Sequence, residues 1–166
     1  MVIIRKAKIK DALKIQKLIE LFANEGKMLS RPIYEIYESI RDYFVAANNG
    51  KVVGCCALHI FGKEYNPAKS NKKEEILVEI RGLVVAEKWQ GKGIGTKLLS
   101  QCLEEAKSLG VTKIFILTLK ENLDFLKKFR FKGITKTNLP QKIWQECVKC
   151  PRFPSTCNET PLILDI

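Results

Sequence analysis

The chain has 166 residues, 46% of them hydrophobic and 28% charged, with a formal net charge of +11. That length suits one domain with a single sizeable core. No apolar run approaches the roughly 20 residues that a membrane-spanning helix needs, and charge interrupts the first ten residues too early for a secretory leader. The positive charge favours anionic ligands. The lysines are scattered, without a basic block or interleaved aromatics, so neither a specific nucleic-acid partner nor a membrane partner is expected and the expected location is cytoplasmic.

Residues 2–6 alternate weakly and predict a first strand. Residues 7–22 carry Ala12, Leu13, Ile15, Leu18, Ile19 and Phe22 on one broad face, the period of a helix, with Asp11 suited to its positive end. Asn24, Glu25 and Gly26 stop it. Ser30 is an available N-cap and Pro32 a first-turn residue for a second short helix bearing Ile33, Ile36, Tyr37 and Ile40. Residues 43–47 and 51–61 flank Asn48-Asn49-Gly50 and predict a hairpin. Residues 62–74 are polar, contain Pro67 and read as a loop. A β-branched strand over 76–85 leads to a helix ending near Ser108, closed by Gly110.

The apolar run 113–119 is a further strand. Residues 121–128 form a short helix packing Leu123 and Leu126, 131–135 begin another strand, and the tail returns as a strand over 161–166. This order predicts an α/β chain of the α+β kind, a mixed sheet with helices on both faces. It reads as one domain over 1–166, in which 136–166 is a cysteine-containing C-terminal segment.

The informative stretch is Gln90-Gly91-Lys92-Gly93-Ile94-Gly95, between a strand and a helix that continues with Leu98, Leu99, Cys102, Leu103 and Ala106. Closely spaced glycines let the backbone turn tightly and approach a ligand. Helix-start N–H groups and the dipole behind them favour an anion there. The spacing is neither a Walker loop nor the dinucleotide fingerprint. It is a turn for a phosphorylated ligand.

Gln-x-x-Gly-x-Gly after a strand carrying Glu-x-x-x-x-Val resembles the pyrophosphate motif of the GNAT acetyltransferase superfamily, and the element order matches that fold over nearly the whole chain. The resemblance implies a mostly antiparallel central sheet with strands splayed at the coenzyme site, and acetyl-coenzyme A as cosubstrate. It implies pantetheine contacts at Leu83, Val84 and Val85, and pyrophosphate contacts at Gln90, Gly91, Lys92, Gly93, Ile94 and Gly95. Asn122, matching the Asn of the family's last short helix, is a further coenzyme contact. Glu79 stands where many members carry a catalytic glutamate.

An ammonium cannot attack a thioester until a base removes a proton. Alternation along the strand puts Glu79, Arg81 and Leu83 on one face, so Glu79 reads either as that base or as one half of a strand-surface ion pair. Backbone N–H groups beside Val84 and Val85 would polarise the thioester carbonyl. The family's tyrosine acid is replaced by Leu126. A thiolate whose conjugate acid has a pKa of about 8.5 needs little acid help.

Leu29-Ser30-Arg31, Glu79-Ile80-Arg81, Phe131 and the Leu-Pro-Gln-Lys-Ile-Trp-Gln-Glu-Cys run from Leu139 resemble the acetyltransferase domain of N-acetylglutamate synthases, which implies glutamate as acceptor and a place in arginine synthesis. Its two carboxylates call for arginine forks. Arg31 and Arg81 are the candidates, with Lys142 in reserve, and each reads equally well as a solvated surface charge. The kinase-like domain often fused to such enzymes is absent from this sequence, so regulation by arginine through it is not expected.

A protein or peptide acetyltransferase and a non-catalytic acyl-coenzyme-binding domain are the other readings, and a homodimer is compatible with each. Cys147, Cys150 and Cys157 in a loop-rich tail leave a disulfide, a zinc site and free thiols open, with no metal ligand set assigned. Cys55 and Cys56 point to opposite faces of a strand and, with Cys102, read as buried small hydrophobes.

Overall fold

The computed structural model describes residues 1–63 and 76–166. In chain order the elements are β1 (Ile3–Lys6), α1 (Ala12–Asn24), α2 (Ile33–Glu38), β2 (Tyr43–Asn48), β3 (Lys51–Lys63), β4 (Ile76–Val85) and α3 (Ile94–Ser108). They continue with β5 (Lys113–Leu119), α4 (Leu123–Lys127), β6 (Lys132–Gly133), α5 (Gln141–Cys147) and β7 (Glu159–Asp165). The strands hydrogen-bond in the order β1-β2-β3-β4-β5-β7-β6. The ladders β1–β2, β2–β3, β5–β7 and β6–β7 are antiparallel. This is the mixed, mostly antiparallel sheet with helices that the sequence predicts.

Two compact units divide the chain, Met1–His59 with Ile80–Leu109 and Ile60–Glu79 with Gly110–Ile166. In the first, Asn48 pairs with Lys51 across a two-residue turn. Asn49 (φ 46°) and Gly50 (φ 75°) both take the left-handed conformation that matches the twist of a hairpin. Ala12, Ile15, Leu18 and Ile19 of α1 pack with Ile36 of α2 against Tyr43, Val45, Cys55 and Ala57 of the sheet. On the other face Cys102 of α3 donates its thiol hydrogen to Cys56 at 3.4 Å. Adjacent cysteines thus serve opposite faces, as strand alternation requires.

Gly54 sits where β3 meets β4 and α3 closely. A Cβ there would lie 3.1 Å from the Val84 carbonyl oxygen and 3.1 Å from Leu98 Cδ1. The side chain can give way and the backbone oxygen cannot. Gly54→Ala is therefore expected to destabilise by roughly 1–3 kcal/mol, read as a lower urea midpoint. An unchanged midpoint would mean that β4 and α3 shift freely.

Asp11 does more than complement the dipole of α1. It is fully buried and takes a two-point fork from Arg5, at 2.6 and 3.1 Å, and the Lys8 backbone N–H at 2.8 Å. The Arg5 guanidinium holds the carboxyl below the ordinary carboxylate range, against burial, which raises it. A depressed native pKa contributes stability that is present above the unfolded value of about 3.9 and is lost as pH falls through the native value. Asp11→Asn should cost about 2 kcal/mol at neutral pH, and thermal melts should show that gap closing below about pH 4. A gap independent of pH would contradict the charge assignment.

In the second unit, Leu77, Phe115, Leu139 and Ile143 form the core, with Phe61, Leu117, Ile134, Trp144, Cys147 and Ile163 packed against them. β7 pairs with β5 from Lys113↔Asp165 to Leu119↔Glu159, and with β6 at Lys132↔Ile163 and Gly133↔Leu162.

Four local expectations change. The tail is not wholly loop, because α5 follows Pro140, which serves as its N-cap residue with extended backbone, and buries Ile143. Pro32, not Ser30, is the N-cap residue of α2, and the Ser30 hydroxyl instead donates to Glu20 at 3.2 Å. Gly62 and Lys63 belong to β3 rather than to the expected loop, of which residues 64–74 lie outside the described residues. The strand expected at 131–135 shortens to Lys132–Gly133.

Candidate active site

In the first unit the glycine turn closes on the end of β4. The Gln90 side-chain amide donates to the Val85 carbonyl at 2.8 Å. Gly91 (φ 71°) and Gly93 (φ 73°) both take left-handed backbone, and among the described residues a Cβ at either would meet nothing beyond its chain neighbours within 4 Å. The turn is open where side chains would otherwise stand, and Gly93 serves as the N-cap residue of α3.

The first turn of α3 is closed by Lys97 N–H donating to the Gly93 carbonyl at 3.1 Å. The N–H groups ahead of it have no partner within the helix. Ile94, Leu98, Leu99, Cys102 and Ala106 bury the opposite side of α3 and fix its axis. Lys92 is drawn back, donating to the Lys88 carbonyl at 3.0 Å with its ammonium 5.0 Å from the Trp89 ring centre. The result is an open, glycine-lined turn whose helix-start N–H groups favour an anion.

β4 supplies Leu83, Val84 and Val85. Gly82 interrupts the strand at φ 63°, and a Cβ there would lie 3.7 Å from the Tyr43 ring and 3.8 Å from Ile19 Cδ1. A left-handed residue within a strand re-aims the side chains beyond it. The shared face expected for Glu79, Arg81 and Leu83 therefore does not carry past Gly82. The Gly82 carbonyl accepts from the Cys55 thiol at 3.5 Å.

Arg31, at the entry to α2, is largely buried and paired with Glu35 at 3.3 Å. Burial, followed by Cys55, raises the Tyr43 hydroxyl well above its ordinary range, while Arg31 and then Arg81 pull it down. Both guanidiniums therefore act on the same buried phenol. Tyr43 was not legible as a site residue, since only the fold brings 31, 43 and 81 together.

In the second unit Glu79 is 5% exposed, a buried carboxylate on a strand whose other charged residue is Arg81. Asn122 begins α4 and donates its side-chain amide to Thr118 Oγ1 at 3.2 Å. Leu126, where the related motif has tyrosine, is a core residue at 1% exposure. Lys142 is committed elsewhere, donating to the Phe61 carbonyl at 2.7 Å. All six cysteines are thiols. Among the described residues no group of three or more His, Cys, Asp or Glu is arranged to hold a metal ion, and no helix is long and apolar enough to cross a membrane.

A glycine cradle at the head of a long helix, fed by a kinked strand of a mixed sheet, defines a protein that holds a phosphorylated cosubstrate. Residues 14–131 match the Acetyltransferase (GNAT) family. An uncharacterized N-acetyltransferase of Chlorobaculum tepidum is 38% identical over 160 residues, covering 96% of this chain and 94% of that protein. An amino-acid acetyltransferase of Mycobacterium tuberculosis is 28% identical over 148 residues, covering 87% and 76%.

Among solved structures, N-acetylglutamate synthase of Neisseria gonorrhoeae, complexed with coenzyme A and N-acetyl-glutamate, matches with a TM-score of 0.78 at 22% identity. That match covers 99% of this chain and 35% of the synthase, so this chain spans about a third of it. The chain belongs to the GNAT acetyltransferase family. Acetyl-coenzyme A, the cosubstrate that the sequence led us to expect, goes with that membership.

Proposed function

We propose that the chain transfers acetyl from acetyl-coenzyme A to the α-amine of a small acidic amino acid, glutamate first among them. The observation that carries the acceptor class is that Arg31 and Arg81 both act as positive charges on the buried Tyr43 hydroxyl, and guanidiniums suit the carboxylates of such a substrate. The 28% identity to an amino-acid acetyltransferase supports the same class. On this reading the enzyme is cytoplasmic and serves arginine synthesis.

In this proposal Gln90, Gly91, Lys92, Gly93, Ile94 and Gly95 hold the pyrophosphate, the backbone of Leu83, Val84 and Val85 holds the pantetheine arm, and Asn122 adds a coenzyme contact. The cosubstrate supplies an activated acyl group with a thiol leaving group. Glu79 removes a proton from the acceptor ammonium, directly or through water. Backbone N–H groups beside Val84 and Val85 polarise the acyl carbonyl. With Leu126 in the core, solvent protonates the departing thiolate.

The test is acetyl-coenzyme-A-dependent thiol release with free glutamate, aspartate, other amino acids and short peptides, corrected for the protein's own 6 cysteines. Selective turnover of glutamate is the expected outcome. Arg31→Ala and Arg81→Ala should then each raise KM for glutamate about 10-fold or more, the worth of a lost charged hydrogen bond, with KM for acetyl-coenzyme A unchanged. Turnover of peptides alone would overturn the proposal in favour of protein acetylation.

A further inference from the structure

Three cysteines occupy the C-terminal segment of the second unit, and acetyl transfer uses none of them. Cys147 ends α5 and packs against the core formed by Leu77, Phe115, Leu139 and Ile143. The chain then turns at once. Val148 stays in right-handed helical backbone, and Cys150 N–H donates to the Cys147 carbonyl at 2.9 Å. A turn closed in this way holds its end residues within about 7 Å, Cα to Cα. A disulfide spans Cα atoms roughly 4.4–6.8 Å apart. Cys157 lies beyond a loop, its carbonyl 3.5 Å from Lys136 Nζ, and its sulfur also acts on Cys147, so a digest has to tell the two partners apart.

We infer that Cys147 and Cys150 form a dithiol–disulfide site, closed by exchange with a low-molecular-weight disulfide, that clips the last turn of α5 to the loop behind it. The exchange balances without any further reactant. One protein thiolate attacks a sulfur of the small disulfide and expels one thiolate, leaving a mixed disulfide. The second protein sulfur then displaces the other small thiol. Two protein thiols and one small disulfide give one protein disulfide and two small thiols.

What the clip secures is visible around it. Trp144 of α5 meets Phe153 edge to face at 5.6 Å between ring centres. Arg152 donates to Asn158 at 2.9 Å and lies 4.0 Å from Glu159. Closing the Cys147–Cys150 turn ties this loop to the helix that buries Ile143.

The thiol chemistry favours a durable bond over a labile one. Burial first, then the charges of Glu159, Cys157, Glu79 and Cys150, push the Cys147 thiol up to about 11. A dithiol whose thiolate is not stabilised gives a disulfide that resists reduction, the reverse of strongly oxidising pairs with low-pKa cysteines. The site goes beyond the acetyl-transfer reading and does not depend on it.

The sequence makes the test clean. Trypsin cuts after Lys142, Lys149 and Arg152, so Cys147, Cys150 and Cys157 fall in separate peptides, 143–149, 150–152 and 153–166. The whole protein is equilibrated with oxidised and reduced glutathione at a poise of about −200 mV, that of an oxidising compartment, then alkylated and digested. The expected product is peptide 143–149 linked to 150–152, with Cys157 alkylated and a melting temperature above that of the reduced protein.

Cys150→Ser should abolish the difference in melting temperature, and Cys157→Ser should keep it. Full alkylation of Cys147 and Cys150 at that poise would overturn the inference, as would a link from 143–149 to 153–166. Because Cys150 is only partly buried, its variant leaves the test readable even if Cys147→Ser fails to fold.

Discussion

Replacing Glu79 by Gln is expected to lower kcat by roughly 10²–10⁴-fold, the usual contribution of a positioned general base, while coenzyme A binding by titration calorimetry stays within twofold. The physical ground is local. Glu79 is the one acidic residue on β4 and is 5% exposed, on a strand whose other charged residue is Arg81. Burying such a group is costly unless it is paired or put to use.

The amide has nearly the same shape and cannot accept a proton at neutral pH. A strand ion pair would answer the substitution differently, with a lower melting temperature and an unchanged kcat. Wild-type turnover in the variant would remove Glu79 from the chemistry. The ratio of kcat to melting shift separates the two roles.

Gly93→Val is expected to raise KM for acetyl-coenzyme A by about 10-fold or more, with a smaller effect on the acceptor. Gly93 holds φ at 73°, and among the described residues nothing beyond its chain neighbours lies within 4 Å of the place where a Cβ would stand. The cost is the left-handed backbone, about 1–2 kcal/mol for any L-residue and more for a β-branched one, and a side chain placed in the phosphate cradle.

Gly110 supplies the control. It has φ 74° and equally open surroundings, but follows the far end of α3. Gly110→Val should lower the melting temperature through the same strain and leave both KM values alone. Equal KM values in the Gly93 and Gly110 variants would mean that the turn does not hold the coenzyme.

The phosphate turn was legible because its signal is local. Glycines at 91 and 93 encode left-handed backbone in the sequence itself, and α1 and α3 declare themselves by period. The short helix α5 was not legible, because its seven residues follow a proline and carry Trp144 and Cys147, which read equally well as loop. The kink at Gly82 hid inside a β-branched run. The meeting of Arg31, Tyr43 and Arg81 depends on sheet pairing and helix packing across 50 residues, which no window of sequence contains. Leu126 packs into the core at 1% exposure, as the period of its short helix leads one to expect.

The place of β7 has a consequence for how the polypeptide is made. Its residues stand between two earlier strands, so that Ile163 faces Phe115 on one side and Lys132 on the other. A nascent chain that has emerged only as far as α5 presents both of those ladders without their shared partner. The second unit must therefore wait for nearly all of this sequence to leave the ribosome, while strands β1, β2 and β3, whose pairings span 3 to 47 and 43 to 57, can close during translation. A ribosome complex stalled with the chain emerged only as far as α5 should carry a protease-resistant hairpin and an unprotected β5.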